Sequence, residues 1–339
     1  MVRYTIDRTD PGNLRMLAGQ NFRPGDEIIA EPAVDTLLIG LEDIFDPTVV
    51  LKNAGPFSGV RHFDEFRAKL SLAKRNSLDA LFNKDGAGTG SLFATNAFQW
   101  PEEIDGHSYT KLGIFLNISR INHSCRPNAF FTWNSLRQKG TIYALDNIQR
   151  NVEIVIEYIA DTDTSFGNGQ HRRKEYDDAY GFKCECGACN LKAGINRRNQ
   201  PDDADRRQAR NLLDELEDDT PRAGESNAAS VLRRMGAADN YITVLNNLGI
   251  KDVRLANGYK ELAVLHDRAF DTARQAPHPA NCQLCHGPSG RLAHLEAALT
   301  ALNKENRVHI RCWGTRHEEL AEDDTKRQEI QQKLARNGG

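Results

Sequence analysis

The chain has no run of about 18 apolar residues, the length a bilayer-spanning helix needs, so no membrane partner is expected. Residues 1–7 lack the apolar core of a secretory signal, which points to an intracellular protein of nucleus or cytoplasm. An excess of one charge is also missing. With 44 Lys and Arg against 47 Asp and Glu, the net charge is -3, and bulk attraction to nucleic acid or anionic lipid is removed. No basic stripe of the kind that tracks a phosphate backbone is present, so no direct nucleic-acid partner is expected. Disulfides are rare in intracellular proteins. The seven cysteines, an odd count, therefore read as thiols or metal ligands.

What is present suits about two domains, at 339 residues of which 39% are hydrophobic. Residues 1–34 read as short strands between turns such as Asp10-Pro11-Gly12-Asn13, with a strand at residues 27–31. Phe63, Phe66, Leu70, Leu72 and Ala73 recur at helical spacing among charges, and a glycine-rich loop at residues 86–90 ends that segment. Residues 91–100 read as a strand. Residues 129–133 and 140–145 read as two strands around a polar turn, residues 161–171 as a loop, and residues 172–178 as a short helix. From Pro201 onward the stripes are helical: Leu212, Leu213 and Leu216, then Tyr259, Leu262, Leu265 and Ala269, then Leu292, Leu295, Leu299 and Leu302. Gly236, Gly249 and Gly287-Pro288 punctuate them, and the charged last dozen residues are expected to fray.

Three stretches carry the chemistry. Asn122-His123-Ser124-Cys125-Arg126-Pro127-Asn128 gathers polar and reactive side chains around a rigid proline, the make-up of a functional loop. Residues 152–158 alternate as a strand does and end on Tyr158. Cys184-x-Cys186-x-x-Cys189 sets three thiolates on one tight loop. Zinc takes four ligands in a tetrahedron, so three so close together cover one face and a fourth must come from elsewhere. A second pair, Cys282-x-x-Cys285-His286, has His278, His309 and Cys312 in sequence reach. It reads as unpaired thiols near helix ends, because no further pair of ligands is spaced to close a site.

In this order and spacing the three stretches resemble the SET-domain protein lysine methyltransferases, and most closely their SET-and-MYND branch, although no cysteine–histidine cluster between residues 41 and 90 supplies a MYND finger. The resemblance covers about residues 1–190. It implies an α+β protein. The SET β-clip fold of short strands spans residues 1–160, with a helical insert at about 41–90. A cysteine-rich post-SET zinc segment follows at 161–195, and an α-helical C-terminal domain at 196–339. The implied activity is transfer of methyl groups from S-adenosylmethionine (SAM) to a lysine side chain of a histone or another protein.

The resemblance also assigns roles. Cys125 becomes the fourth zinc ligand beside Cys184, Cys186 and Cys189. Tyr158, Tyr180 and Phe98 become catalytic residues lining a narrow lysine channel, with Tyr158 also near the cofactor. Asn96, Asn122, His123 and Phe182 become cofactor-binding residues. The family's Gly-x-Gly at the cofactor falls on Asn13-Leu14-Arg15, so Asn13 stands at that approach without either glycine, whose lack of a Cβ is what admits a ligand. The family's Gly-Glu-Glu turn is Asn151-Val152-Glu153 here, and Asn also tolerates the left-handed backbone such a turn needs. An alternative is a weak or inactive SET scaffold that binds a protein through its helical half.

Overall fold

Alternating apolar residues draw the first half of the chain into short strands. β1 (Tyr4–Asp10) and β2 (Asn13–Ala18) form an antiparallel hairpin with Asp7 opposite Arg15. The Arg15 guanidinium donates twice to Asp7 Oδ2, at 2.8 and 3.0 Å. β3 (Glu27–Glu31) and β4 (Asp35–Gly40) follow, then helices α1 (Leu72–Asp79) and α2 (Thr89–Asn96) and strands β5 (Phe98–Ile104) and β6 (His107–Ile114). The functional loop opens with β7 (Asn122–His123), and β8 (Ala129–Asn134), β9 (Lys139–Ala144) and β10 (Val155–Ile156) complete the strands. Two three-stranded antiparallel sheets result, in the orders β3-β9-β8 and β4-β6-β5, while β7 and β10 pair in parallel.

The coordinates are a computed structural model that describes residues 2–10, 13–40, 67–84, 86, 88–104, 106–189, 202–274, 287–315, 317 and 319–337. The readings at Phe63, Phe66, His278, Cys282, Cys285 and His286 lie outside the described residues. Contacts divide the chain into two units, residues 1–158 with 172–189 and residues 159–171 with 190–339.

In the first unit the strands wrap an apolar core of Met16, Phe22, Ile28, Phe115, Ile118, Ile121, Ile142, Ile154 and Ile156, and a second cluster joins Leu78, Leu81, Leu92, Phe93, Leu112 and Ile114. Trp100 stacks on Trp133 with centroids 4.2 Å apart, and Phe98 lies 4.3 Å from Phe131. Gly140 makes room for this cluster, since a Cβ there would come within 2.6 Å of the Phe115 ring. Residues 91–100 do not form one strand. Residues 89–96 are helical and only Phe98 onward is extended, because a short apolar run carries no period by which to tell the two apart. The alternating stretch at residues 152–158 is likewise hardly a strand. Glu153 bridges Leu17, Ile154 N–H donates to Met16 O at 2.8 Å, and only Val155 and Ile156 pair with β7. It links two strands of different sheets.

Helices α3 (Thr162–Ser165) and α4 (Gly169–Tyr180) occupy what reads as a loop and a short helix. Asp161 caps α3 by accepting from Thr164 N–H at 2.8 Å. Most of α4 belongs to the first unit, whereas the second goes on with α5 (Asp203–Glu217), α6 (Asn227–Leu248), α7 (Val253–Arg274), α8 (Gly287–Trp313) and α9 (Leu320–Asn337). The leucine stripes supply its interior, with Leu216, Leu262, Leu265, Leu295 and Leu302 buried. Gly249 ends α6 in the left-handed conformation at φ +73°, as its position suggests. Gly236 does not interrupt α6, where it costs about 1 kcal/mol against alanine and is outvoted by the buried residues around it. The charged C-terminal residues do not fray, because Ile330 is buried and Lys333 donates to Asp267 and Asp271 at 2.6 and 2.8 Å.

Between α7 and α8 the Nδ1 atoms of His266 and His294 meet at 3.1 Å. Burial, with His294 beside it, pulls His266 down to about 4. The unfolded chain takes up a proton near pH 6.5 that the folded chain refuses until about 4, so stability is expected to fall as pH drops through that window. The loss is on the order of 1 kcal/mol once partial exposure is allowed for. Urea denaturation at about pH 7 and pH 4.5 measures it, and His266→Gln should flatten the difference.

Candidate active site and metal centre

Residues 117–128 are anchored before they reach any ligand. The Glu31 carboxylate accepts from Asn117 N–H at 2.9 Å, Asn117 Nδ2 at 2.7 Å and Ile118 N–H at 2.9 Å. Beyond this turn Asn122 and His123 pair with Val155 and Ile156, and Ser124 N–H donates to Ile156 O at 2.9 Å. Asn128 closes the stitch. Its Nδ2 donates to Glu153 O at 2.8 Å, and its Oδ1 accepts from Val155 N–H at 2.9 Å. The loop and the 153–158 segment are thereby one unit, with Asn122, His123 and Tyr158 at one end. Asn151 makes the turn before it at φ +67°, the left-handed conformation expected of it.

At that end lies an aromatic cluster. Tyr158 is 5.3 Å from His123, 5.0 Å from Tyr180 and 6.0 Å from Phe182, ring centre to ring centre. Tyr176 lies 3.9 Å from His123 and stacks on Phe182 at 5.8 Å. The Tyr158 hydroxyl donates to Ile121 O at 2.7 Å, which fixes the direction of its lone pairs. Burial pushes this phenol well above its usual value, with Tyr180 and Glu153 adding to the effect. It stays neutral at any working pH.

Tyr180 ends α4, and Gly181, at φ +75°, turns the chain back so that Phe182 enters the cluster and Cys184 follows. Arg172 and Arg173 of the same helix hold the thiol loop by its carbonyls, donating to Ala188 O at 2.8 Å and Cys189 O at 2.6 Å.

The four cysteines converge. One sulfur from each of Cys125, Cys184, Cys186 and Cys189 lies within 4.8 Å of the others. Cys125 Sγ is 3.9 Å from Cys184 Sγ and 3.5 Å from Cys189 Sγ. A zinc tetrahedron with bonds of about 2.3 Å has edges of about 3.8 Å, so these residues fit that ion in donor type, number and spacing. Hydrogen bonding among the thiols raises Cys125 and draws Cys189 down to about 7, first through its bond with Cys125. His123 supports the set from outside. Its Nδ1 accepts from Tyr158 N–H at 3.2 Å, which leaves the proton on Nε2 facing Cys125 Sγ at 3.3 Å.

Asn122 donates through Nδ2 to Leu14 O at 3.1 Å and to Glu153 Oε1 at 2.8 Å. Both amide protons are engaged, and Oδ1 is left to accept from an ammonium group such as that of SAM. The structure thus brings Asn122, His123, Tyr158, Tyr180, Phe182 and the four cysteines together. Asn96 and Phe98 make other contacts, with Asn96 O accepting from Ser119 Oγ of the anchored segment at 2.9 Å. Asn96 is buried, with Nδ2 donating to Phe82 O at 2.7 Å and Leu92 O at 2.8 Å. Phe98 makes its ring contacts with Phe115 and Phe131. Asn13 begins β2, one residue before the carbonyl that Asn122 grips. Sequence reading missed Glu31, Arg172, Arg173 and Tyr176. Asn128 is named there as the last residue of the polar loop, without its bonds to Glu153 and Val155.

Comparison with known proteins agrees with this geometry. Residues 13–159 match the SET domain family. The histone-lysine N-methyltransferase set5 of Schizosaccharomyces pombe is 36% identical over 137 residues, which cover 40% of this chain and 40% of that protein. The N-lysine methyltransferase SMYD2-B of Xenopus laevis is 28% identical over 215 residues, covering 59% of this chain and 46% of that protein. The matched segments thus span less than half the length of these relatives. Residues 13–159 are a SET domain, and the proteins it resembles are lysine methyltransferases, the SET-and-MYND proteins among them.

Proposed function

We propose that the protein transfers methyl groups from SAM to a lysine side chain of a protein substrate, histone or other, with Cys125, Cys184, Cys186 and Cys189 holding a structural zinc ion. The observation that carries the reading is the joining of two distant segments. The sulfur cluster ties residue 125 to residues 184–189, and those residues bring Tyr180 and Phe182 against Tyr158. SAM supplies a methyl group on a positively charged sulfur. The residues around it would hold, orient and dry the reacting groups, which is most of what an in-line displacement asks of a protein. Asn122 Oδ1 is suited to the amino-acid end of the cofactor. Tyr158, tied to Ile121 O and kept neutral by burial, offers an oxygen dipole without a full charge. Tyr180 and Phe182 would wall the lysine path beside Tyr158. A neutral phenol of raised pKa does not serve as a base, so the lysine is deprotonated before attack. The domain limits 1–160, 161–195 and 196–339 and a site in nucleus or cytoplasm belong to the same reading. Among the described residues no helix is long and apolar enough to cross a membrane.

One observation favours a second reading, a SET scaffold that binds a partner without turnover. Asn13 and Arg15 replace the glycines at the cofactor approach, and Arg15 is committed to Asp7. Isothermal calorimetry with SAM separates the two. Saturable one-to-one binding is expected, and a chain that takes up no SAM is the scaffold. Labelled-methyl transfer to a protein extract then tests turnover.

A further inference from the structure

The last two helices bring together three groups that the proposed chemistry does not use. Glu305 and His309 stand one turn apart on α8, and Asp323 lies near the start of α9. One ligand atom from each lies within 4.8 Å of the other two. All are buried, with Glu305 2%, His309 6% and Asp323 8% exposed. His309 Nδ1 meets Asp323 Oδ2 at 2.7 Å. Trp313 stacks on His309 at 4.0 Å and His317 on Trp313 at 5.0 Å, so one side of the cluster is covered by rings.

A buried histidine–aspartate pair is complete by itself. The third member is what needs explaining. Among the described residues no hydrogen-bond donor reaches the Glu305 carboxyl, although it is almost wholly buried and directed at two other ligand atoms. Lys260 and Arg327 are near enough to act on it only through space. Burial, with Asp323 beside it, pushes this carboxyl up to about 7. Leaving a buried carboxyl without a partner is costly, and a cation at this point removes the cost.

We infer that Glu305, His309 and Asp323 form a binding site for a divalent transition-metal ion that clips α9 to α8. One imidazole and two carboxylates suit zinc and its neighbours in the first transition row. They do not suit calcium, which takes six to eight oxygen ligands. The ion would take the Nδ1 lone pair of His309 and an oxygen of Asp323, with the imidazole proton on Nε2, so coordination replaces the hydrogen bond between them. Three protein ligands leave a fourth position for water. The site shares no residue with the thiol cluster and does not depend on methyl transfer.

The test uses all 339 residues, stripped of metal and titrated with Co2+, whose absorption reports its ligands. Cobalt at the four cysteines shows intense sulfur charge transfer, whereas cobalt at Glu305, His309 and Asp323 shows a weak band without it. Wild type is expected to develop both, and added Zn2+ should remove both. Glu305→Gln keeps the shape and removes one ligand. It should keep the charge-transfer band and bind the nitrogen–oxygen equivalent at least about 100-fold more weakly, beyond the range of an outer-shell change. Asp323→Asn is measured alongside, with circular dichroism on each, so that a folding failure in one variant does not decide the matter. A wild type that takes up metal at the thiols alone, or a folded Glu305→Gln whose uptake equals wild type, overturns the assignment.

Discussion

Tyr158→Phe is expected to lower methyl transfer by about 10²–10³-fold at saturating SAM while changing SAM affinity only a few-fold. The ring is held on three sides by His123, Tyr180 and Phe182, and phenylalanine keeps those contacts. What disappears is one oxygen, aimed by its bond to Ile121 O. That bond is worth about 1 kcal/mol to stability and leaves a carbonyl short of a donor when lost, so a modest drop in melting temperature should accompany the kinetic effect. The large term is electrostatic. In the proposed site a neutral phenol would aim the negative end of a fixed dipole at the sulfonium of SAM, at no reorganisation cost. Single-turnover labelling gives the chemical step directly. A rate within about threefold of wild type would remove Tyr158 from the mechanism. Equal losses in binding and transfer would make it a cofactor-holding residue instead.

The thiol trio, the Asn122–Asn128 loop and Tyr158 are legible in the sequence because their chemistry is local: ligand spacing, a polar heptad with a proline, a tyrosine closing an alternating run. Asn151 is legible for a like reason, as one of the few residues that accept a positive φ. The supports are not legible. Glu31 anchors Asn117 from 86 residues away, and Arg172 grips Ala188 from the far side of a turn. An ordinary glutamate or arginine has no pattern to announce such a task. Short elements fail for another reason. Residues 91–100 and 152–158 each carry an apolar rhythm of only a few residues, too brief to choose between a helix and two strand fragments. Asn96 shows the limit of a motif taken alone. Its amide nitrogen donates to Phe82 O and Leu92 O, a helix-closing duty that a two-residue match does not reveal. In the helical unit the leucine stripes were plain, yet the convergence of Glu305, His309 and Asp323 was not, since it depends on how one helix follows the next.

Cys125→Ser is expected to have the largest effect on stability. A serine hydroxyl remains protonated near neutral pH and is a poor zinc ligand, so the variant offers three thiolates where the ion requires four donors. Structural zinc contributes about 10–16 kcal/mol of apparent binding free energy in small zinc domains. A substantial share of that is at stake here, because Cys125 and Cys184 close a loop of chain 59 residues apart in sequence. Once that closure is lost, Arg172 and Arg173 alone tether the thiol loop by its carbonyls, two bonds worth about 1–3 kcal/mol each. Tyr180 and Phe182 then leave Tyr158, and the proposed SAM site loses a wall. Three readings should therefore fall together: thiol-bound zinc by elemental analysis, the melting temperature of the first unit, and SAM affinity. Stripping zinc from wild type with a strong chelator should reproduce all three, and restoring zinc should reverse them only in wild type. His123 sharpens the interpretation. Its Nε2 proton faces Cys125 Sγ and its Nδ1 accepts from Tyr158 N–H, so the sulfur cluster and the tyrosine share one imidazole. A Cys125→Ser protein that keeps its zinc and its SAM affinity would show that the sulfur cluster is a neighbour of the site and not its frame.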